Sequence, residues 1–265
     1  MWIFYIFITD MNPIRWLTLL SVCALVTWTP AAGQTAGQSP TFSIELESGP
    51  VWQSYNDVEI PNDGTATRFS LYDLAGSGPW FANRVYFTWN PGHRHGLRLL
   101  VAPFSLSESG VPNSEIRFAG SDFAAGQLTE ATYTFNSYRV SYRYRFHDSD
   151  RTRAWIGFTG KIRDAVIALD QNQVGSRKTD FGFVPLLHVA GEWSINTRWN
   201  VSLDADALAG GPGRAADAAL KLGYNIGERW NIRMGYRTVE GGADVEEVYT
   251  FAWLHYALLS LSWRR

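Results

Sequence analysis

The residues of this 265-residue chain whose types and spacing could do chemistry are five histidines, a pair of alternate aspartates and a few serines. His188 and Glu192 share one face of an extended segment, but four residues of strand separate them by ~13 Å, too far for a direct bond. Each would instead meet a neighbouring strand, at a residue such as Ser202 or Asp204, and a histidine in such a polar network reads first as structural. His255 has the apolar parity of the last strand, with Ser260 five residues on. Serine hydrolysis needs the two in hydrogen-bond reach and a third group to orient the ring; a register shift or a ring reaching the membrane interface explains His255 more simply. Asp204-Ala-Asp206 puts two carboxylates on one face, where salt bridges to arginine explain them as well as acid–base work does. His93, His95 and His147 lie in turns without metal-ligand spacing, and Gly210-Gly-Pro-Gly213 reads as a turn rather than a phosphate cradle. No catalytic residue, metal site or cofactor is expected.

The elements that would position these residues are strands. From Tyr138 to Phe146 the even positions are Tyr, Val, Tyr, Tyr and Phe, and the odd ones include Arg139, Ser141, Arg143 and Arg145, so one face is apolar and the other cationic. After a polar turn, Ala154, Ile156, Phe158 and Ile162 repeat the apolar face against Thr159, Lys161 and Arg163. Further arms follow over 41–52, 84–89, 96–101, 179–193, 198–209, 215–226, 230–240 and 248–263. Arms of about 9 to 16 residues are long enough to cross a bilayer as tilted strands. The island from Thr67 to Leu71 reads as either a strand or part of an outer loop. The spacing predicts a closed antiparallel up-and-down barrel of about ten strands, with eight or twelve as alternatives.

Composition agrees. Residues are 46% hydrophobic and 15% aromatic, with a formal net charge of -2, yet the mean hydropathy is only -0.15. Apolar residues spread over alternate positions have this signature, whereas helical spans need about 20 continuous apolar residues. The balanced charge gives no pointer to nucleic acid. Residues 1–33 read as a secretory signal whose true start is expected at Met11, with Arg15 as the positive region and Ala31-Ala32-Gly33 as the cleavage site. Residues 34–40 form a polar periplasmic lead-in and 41–265 the barrel. The single cysteine, Cys23, falls inside the signal, which leaves the mature chain without thiol chemistry.

On these arms, 41–265 resembles small bacterial outer-membrane β-barrels. The segment Tyr256-Ala-Leu-Leu-Ser-Leu-Ser-Trp263 is similar to the aromatic-ended signal read by the barrel assembly machinery, although Arg264-Arg265 follow it here. The resemblance implies a monomer in the bacterial outer membrane, with lipid and lipopolysaccharide around it and the assembly machinery as partner. With the apolar parity toward lipid, the lumen receives Glu45, Glu47, Arg84, Arg98, Arg139, Arg143, Arg145, Lys161, Arg163, Asp180, His188, Glu192, Asp204, Asp206, Asp217, Lys221, Arg233 and Arg237. Its near-balance of charge predicts mutual pairing. Two outcomes stay open: a salt-bridged plug, or a narrow pore with a slight anion preference. An enzyme acting on envelope lipid is a second class of function. A surface-binding barrel is a third, using the loops 54–79 and 105–130 with Tyr55, Trp80, Phe118 and Phe123. A soluble sandwich would place Tyr142, Phe158 and Leu203 in a packed centre.

Overall fold

A computed structural model describes residues 41–265; the expected signal segment with Cys23, and the 34–40 lead-in up to Pro40, lie outside the described residues. The elements are β1 (Phe42–Glu59), β2 (Phe69–Ser70), a helical turn α1 (Leu71–Ala75), β3 (Trp80–Trp89), β4 (His95–Ala102), β5 (Ser105–Gly110), β6 (Ile116–Phe118), β7 (Ser121–Phe123), β8 (Thr129–Asp148), β9 (Thr152–Gln171), β10 (Val174–Ser194), β11 (Trp199–Gly210), β12 (Gly213–Ile226), β13 (Trp230–Val245) and β14 (Val248–Arg264). Each barrel strand pairs antiparallel with its neighbours, and β14 pairs back onto β1 from Ser43↔Arg264 to Glu59↔Tyr249. That closure joins the first and last staves, which is how a sheet satisfies its backbone in hydrocarbon.

The sheet contains twelve strands, of which two do not add a stave. β4 and β5 both pair with β8 and form one stave interrupted at Pro103, which has no N–H to donate. β2 adds only Asp57↔Ser70 and Val58↔Phe69 at the tip of β1. Ten staves remain among the described residues, and the Thr67–Leu71 island belongs to a loop.

The strands exceed their sequence-predicted lengths. β8 and β9 have 20 residues each and β10 has 21, or ~50 Å of tilted strand against an apolar band of ~25 Å. Segments between the predicted arms, such as 170–178 and 241–247, are strand ends joined by tight turns. Asn172 supplies the positive φ (54°) that one such turn requires. Both described ends, Phe42 and Arg264, lie at one end of the barrel with the turns 90–94, 149–151, 195–198 and 227–229. The longer excursions 60–79 and 111–128 lie at the other, which fixes it as the outer end.

The wall is not level. β10 pairs with β9 along its whole length, but with β11 only from Leu187 to Ser194. Pro185, two residues above that point, cannot donate to a ladder, and β11 ends soon after, at Gly210. The free upper edge of β10 carries Arg177, Lys178 and Asp180, charges that discourage pairing with another chain.

Candidate functional site

Strand parity sends the charged residues inward, where they meet across the lumen. Asp217 on β12 receives Arg84 of β3 (2.9 Å), Arg139 of β8 (2.7 Å) and Arg237 of β13. β3 and β8 each stand four staves from β12 in a ring of ten, so these pairs span nearly opposite walls. Arg237 also grips Glu47 of β1 (3.0 and 3.1 Å) and donates to the Tyr86 hydroxyl (2.8 Å). Lys221 bridges Glu45 (2.7 Å) and Glu47 (2.5 Å), and Arg233 reaches Glu45 (2.9 Å). Arg98 holds Asp204 through both terminal nitrogens (2.5 and 2.7 Å).

The remaining predicted lumen residues sit around this centre. Arg163 pairs with Asp180 through Nε (2.7 Å), Glu192 with Arg153 (3.2 Å) and Arg145 with Asp148 (3.2 Å). Arg143 packs over the ring of Trp155 (4.8 Å). Trp155 therefore lies on the inner wall, and a register shift in β8 between Arg145 and His147 marks an irregularity beside it. Lys161 is buried over the Phe135 ring (4.4 Å), with no carboxylate at ion-pair distance among the described residues.

The outer third of the interior is filled differently. Val51, Val58, Leu71, Leu74, Phe104, Leu106, Ile116, Phe118, Phe123, Leu169 and Leu254 form one apolar cluster, closed by α1 and the β6–β7 hairpin. Phe118 and Phe123 are both 0% exposed, so they are core residues and not anchors for a surface ligand. Trp80 donates to Glu108 (2.8 Å) and Tyr55 to Glu240 (2.7 Å), which leaves the expected binding aromatics engaged within the protein.

Outside, the polarity reverses. Tyr142, Phe158 and Leu203 are 40%, 65% and 39% exposed, and Trp89, Phe146, Trp193, Trp199 and Trp230 ring the lower rim as an aromatic girdle. An apolar exterior around a charged interior excludes the soluble sandwich. No family model matches the chain, and no curated protein matches it. Solved structures do. The outer membrane protease OmpT from Escherichia coli superposes with a TM-score of 0.52 at 7% identity, over 88% of this chain and 99% of that one. The translocator domain of the autotransporter NalP from Neisseria meningitidis gives a TM-score of 0.43 at 10% identity, over 95% and 94%. Ail of Yersinia pestis gives 0.40 at 9%, over 84% and 99%. The chain is a small outer-membrane β-barrel.

Within this barrel the histidines fall into two environments. His188, fully buried, bonds through Nδ1 to Asp206 Oδ1 (2.7 Å), its register partner on β11, and not to Ser202 or Asp204. Asp206 also receives Arg139 (2.8 Å) and Thr159 (2.8 Å). The ligand atoms of His188, Asp204 and Asp206 lie within 4.8 Å of one another. A divalent cation there would have to displace the guanidiniums of Arg98 and Arg139, so the donor set does not fit a metal centre. His95 contacts the Tyr142 hydroxyl (2.7 Å) and His147 the Thr152 hydroxyl (3.0 Å).

His255 behaves differently. Ser260 points into the lumen, and His255 points out to the lipid side, where Nε2 lies 3.0 Å from Ser54 Oγ and Nδ1 2.5 Å from the Tyr236 hydroxyl. Sequence reasoning missed Ser54 because its partner comes from the opposite end of the chain. The two meet only through the β1–β14 closure.

Proposed function

We propose that this barrel is a sealed, non-conducting outer-membrane scaffold, monomeric, whose lumenal charges stabilise closure instead of guiding ions. The observation that carries this reading is Asp217, bonded at once by Arg84 and Arg139 from nearly opposite walls. Side chains joined in this way occupy the axis, and separating them would leave buried charges unpaired at several kcal/mol each. The apolar layer under α1 and the β6–β7 hairpin supports a second seal in series. The closing strand β14, ending near Trp263, fits recognition by the barrel assembly machinery.

Planar-bilayer recording tests the seal. Wild-type protein is expected to give no current steps. Gly110 and Thr129 are register partners, so residues 111–128 can be replaced by a two-residue turn without disturbing the stave. That variant is also expected to stay silent, because the salt-bridged layer beneath is intact. Ohmic steps from folded wild type would restore the pore reading.

A further inference from the structure

We propose that Ser54, His255 and Tyr236 form a lipid-facing acyl-ester hydrolase site on the barrel wall, a function beyond the sealed scaffold and independent of it. The three side chains come from β1, β14 and β13 and meet outside the lumen. A register shift in β1 between Gln53 and Tyr55 creates the site: Gln53 pairs with Leu254 and Tyr55 with Trp253, leaving Ser54 as the extra residue of a bulge. Bulges re-aim side chains in this way and recur beside active sites. Here the bulge presents an exposed primary alcohol next to an imidazole.

The contacts of His255 allow the polarity that nucleophilic catalysis needs in one of the two imidazole tautomers. With the ring proton on Nδ1 and donated to the Tyr236 oxygen (2.5 Å), Nε2 is free to accept from Ser54 Oγ (3.0 Å). The ring has two aromatic neighbours. Trp253 lies 5.2 Å from it and Tyr236 6.0 Å, the latter inclined by 24°. An interfacial histidine that only anchors the barrel needs water or headgroup contacts; this one has each nitrogen committed to a hydroxyl, one of them a potential nucleophile.

Height selects the substrate. His255 stands eight residues above Trp263 of the periplasmic girdle, or ~20 Å along a tilted strand, near the outer limit of a ~25 Å apolar band. Fatty-acyl esters of outer-leaflet lipid lie at that depth. They can reach an exterior site by lateral diffusion, without any cavity in the barrel. In the reaction, Ser54 Oγ attacks the acyl carbonyl carbon and its proton passes to His255 Nε2. The bond to the lipid alcohol oxygen breaks, and that oxygen takes the proton. Water, deprotonated by Nε2, then attacks the acyl-serine, releasing a free fatty acid and restoring Ser54. The net change is ester plus water to acid plus alcohol. Tyr236 acts as a positioning residue through the imidazole.

The test uses the full barrel in detergent micelles. A fluorophosphonate probe with mass-spectrometric site mapping is expected to label Ser54. Free fatty acid release is followed from two substrates, phosphatidylethanolamine–phosphatidylglycerol vesicles and lipopolysaccharide, so that the responding lipid identifies the ester source. Ser54→Ala should abolish labelling and release. His255→Ala should slow both about 100-fold or more, in the range of a lost general base. Tyr236→Phe should slow probe labelling about tenfold, with heat-modifiable gel mobility showing the barrel intact, an effect that a purely anchoring tyrosine would not have. Trp230→Phe, at the opposite rim, should change neither rate. Absence of label at Ser54, undiminished release from Ser54→Ala, or no release from either lipid would each overturn the proposal.

Discussion

The lower and outer halves of the interior are built on the same strands by opposite rules. Along β8, the inward residues Ser137, Arg139, Ser141, Arg143 and Arg145 are polar while Tyr138, Val140, Tyr142 and Phe146 face out. Above Ser137 the assignment inverts: Ala131, Tyr133 and Phe135 face in, and Glu130, Thr132, Thr134 and Asn136 face out. β14 changes on its inner face alone: Ser260 and Ser262 are buried below and Leu254, Tyr256 and Leu258 above, while Leu261, Leu259 and Trp253 stay exposed outside. In the bilayer the hydrophobic effect acts on the outer surface, and the narrow lumen is left to charges that must neutralise one another. Where the wall emerges into water, the same effect acts inward and packs an ordinary core. The inversion point on β8 thus marks where the wall leaves the apolar band.

The sharpest way to break this contrast is to remove the residue on which the charged layer converges. Asp217→Ala takes their shared carboxylate from three buried guanidiniums, those of Arg84, Arg139 and Arg237, which keep only Glu47 and Asp206, and is expected to cost ~3–5 kcal/mol because buried positive charge then exceeds negative. Urea unfolding in micelles, followed by tryptophan fluorescence, measures it. In the apolar layer, Phe118→Ala should cost about 3 kcal/mol, the usual cost of emptying an aromatic site in a core. The loss should appear locally, as protease cleavage within 111–128, while the barrel keeps its heat-modifiable migration. If cleavage and global unfolding moved together, the two layers would be one cooperative unit.

A smaller effect sharpens the comparison from the charged side. Arg98 and Asp204 form a bidentate pair between β4 and β11. Arg98→Met alone is expected to destabilise by ~3 kcal/mol, since it leaves the half-buried Asp204 carboxylate without its bidentate partner. The double variant Arg98→Met with Asp204→Leu should return to within ~1 kcal/mol of wild type, as apolar replacements of buried pairs commonly do. The same unfolding assay decides, and a double variant as weak as the single one would show that this pair adds net stability.

The fold was readable because alternation over Tyr138–Phe146 and its repeats has only one economical solution in a bilayer. The lumenal parity of Glu47, Arg139 and Asp217 was readable for the same reason. Their partners were not, since pairing across a barrel depends on stave order and stagger, which no local pattern encodes. The outer core was hidden by its own logic: Thr129–Phe135 alternates in the opposite sense to Tyr138–Phe146, so it reads as a connection instead of the same strand leaving the membrane. Ser54 was hidden twice, once by lying 201 residues from His255 and once by the bulge that exposes it.

The smallest expected effect lies in the loop that ties the apolar cap to the rim. Asn62 donates to Asp244 (2.8 Å) and to the Val245 carbonyl (3.1 Å), fastening the loop to the β13–β14 hairpin. Beside it, the Thr65 hydroxyl (2.6 Å) and N–H (2.9 Å) both donate to Asp63 Oδ1 and hold its carboxyl below the usual carboxylate range. A carboxyl so lowered contributes to loop order above its unfolded pKa, near the ordinary 3.8, and that contribution is lost as pH falls through the lower folded value. Thr65→Val removes the hydroxyl donor and should move the Asp63 titration back up toward the ordinary value, as read by carboxyl-carbon NMR in micelles. The lumenal pairs should be unmoved, because the loop touches the charged layer nowhere. An unchanged Asp63 titration would mean that the backbone N–H alone sets it.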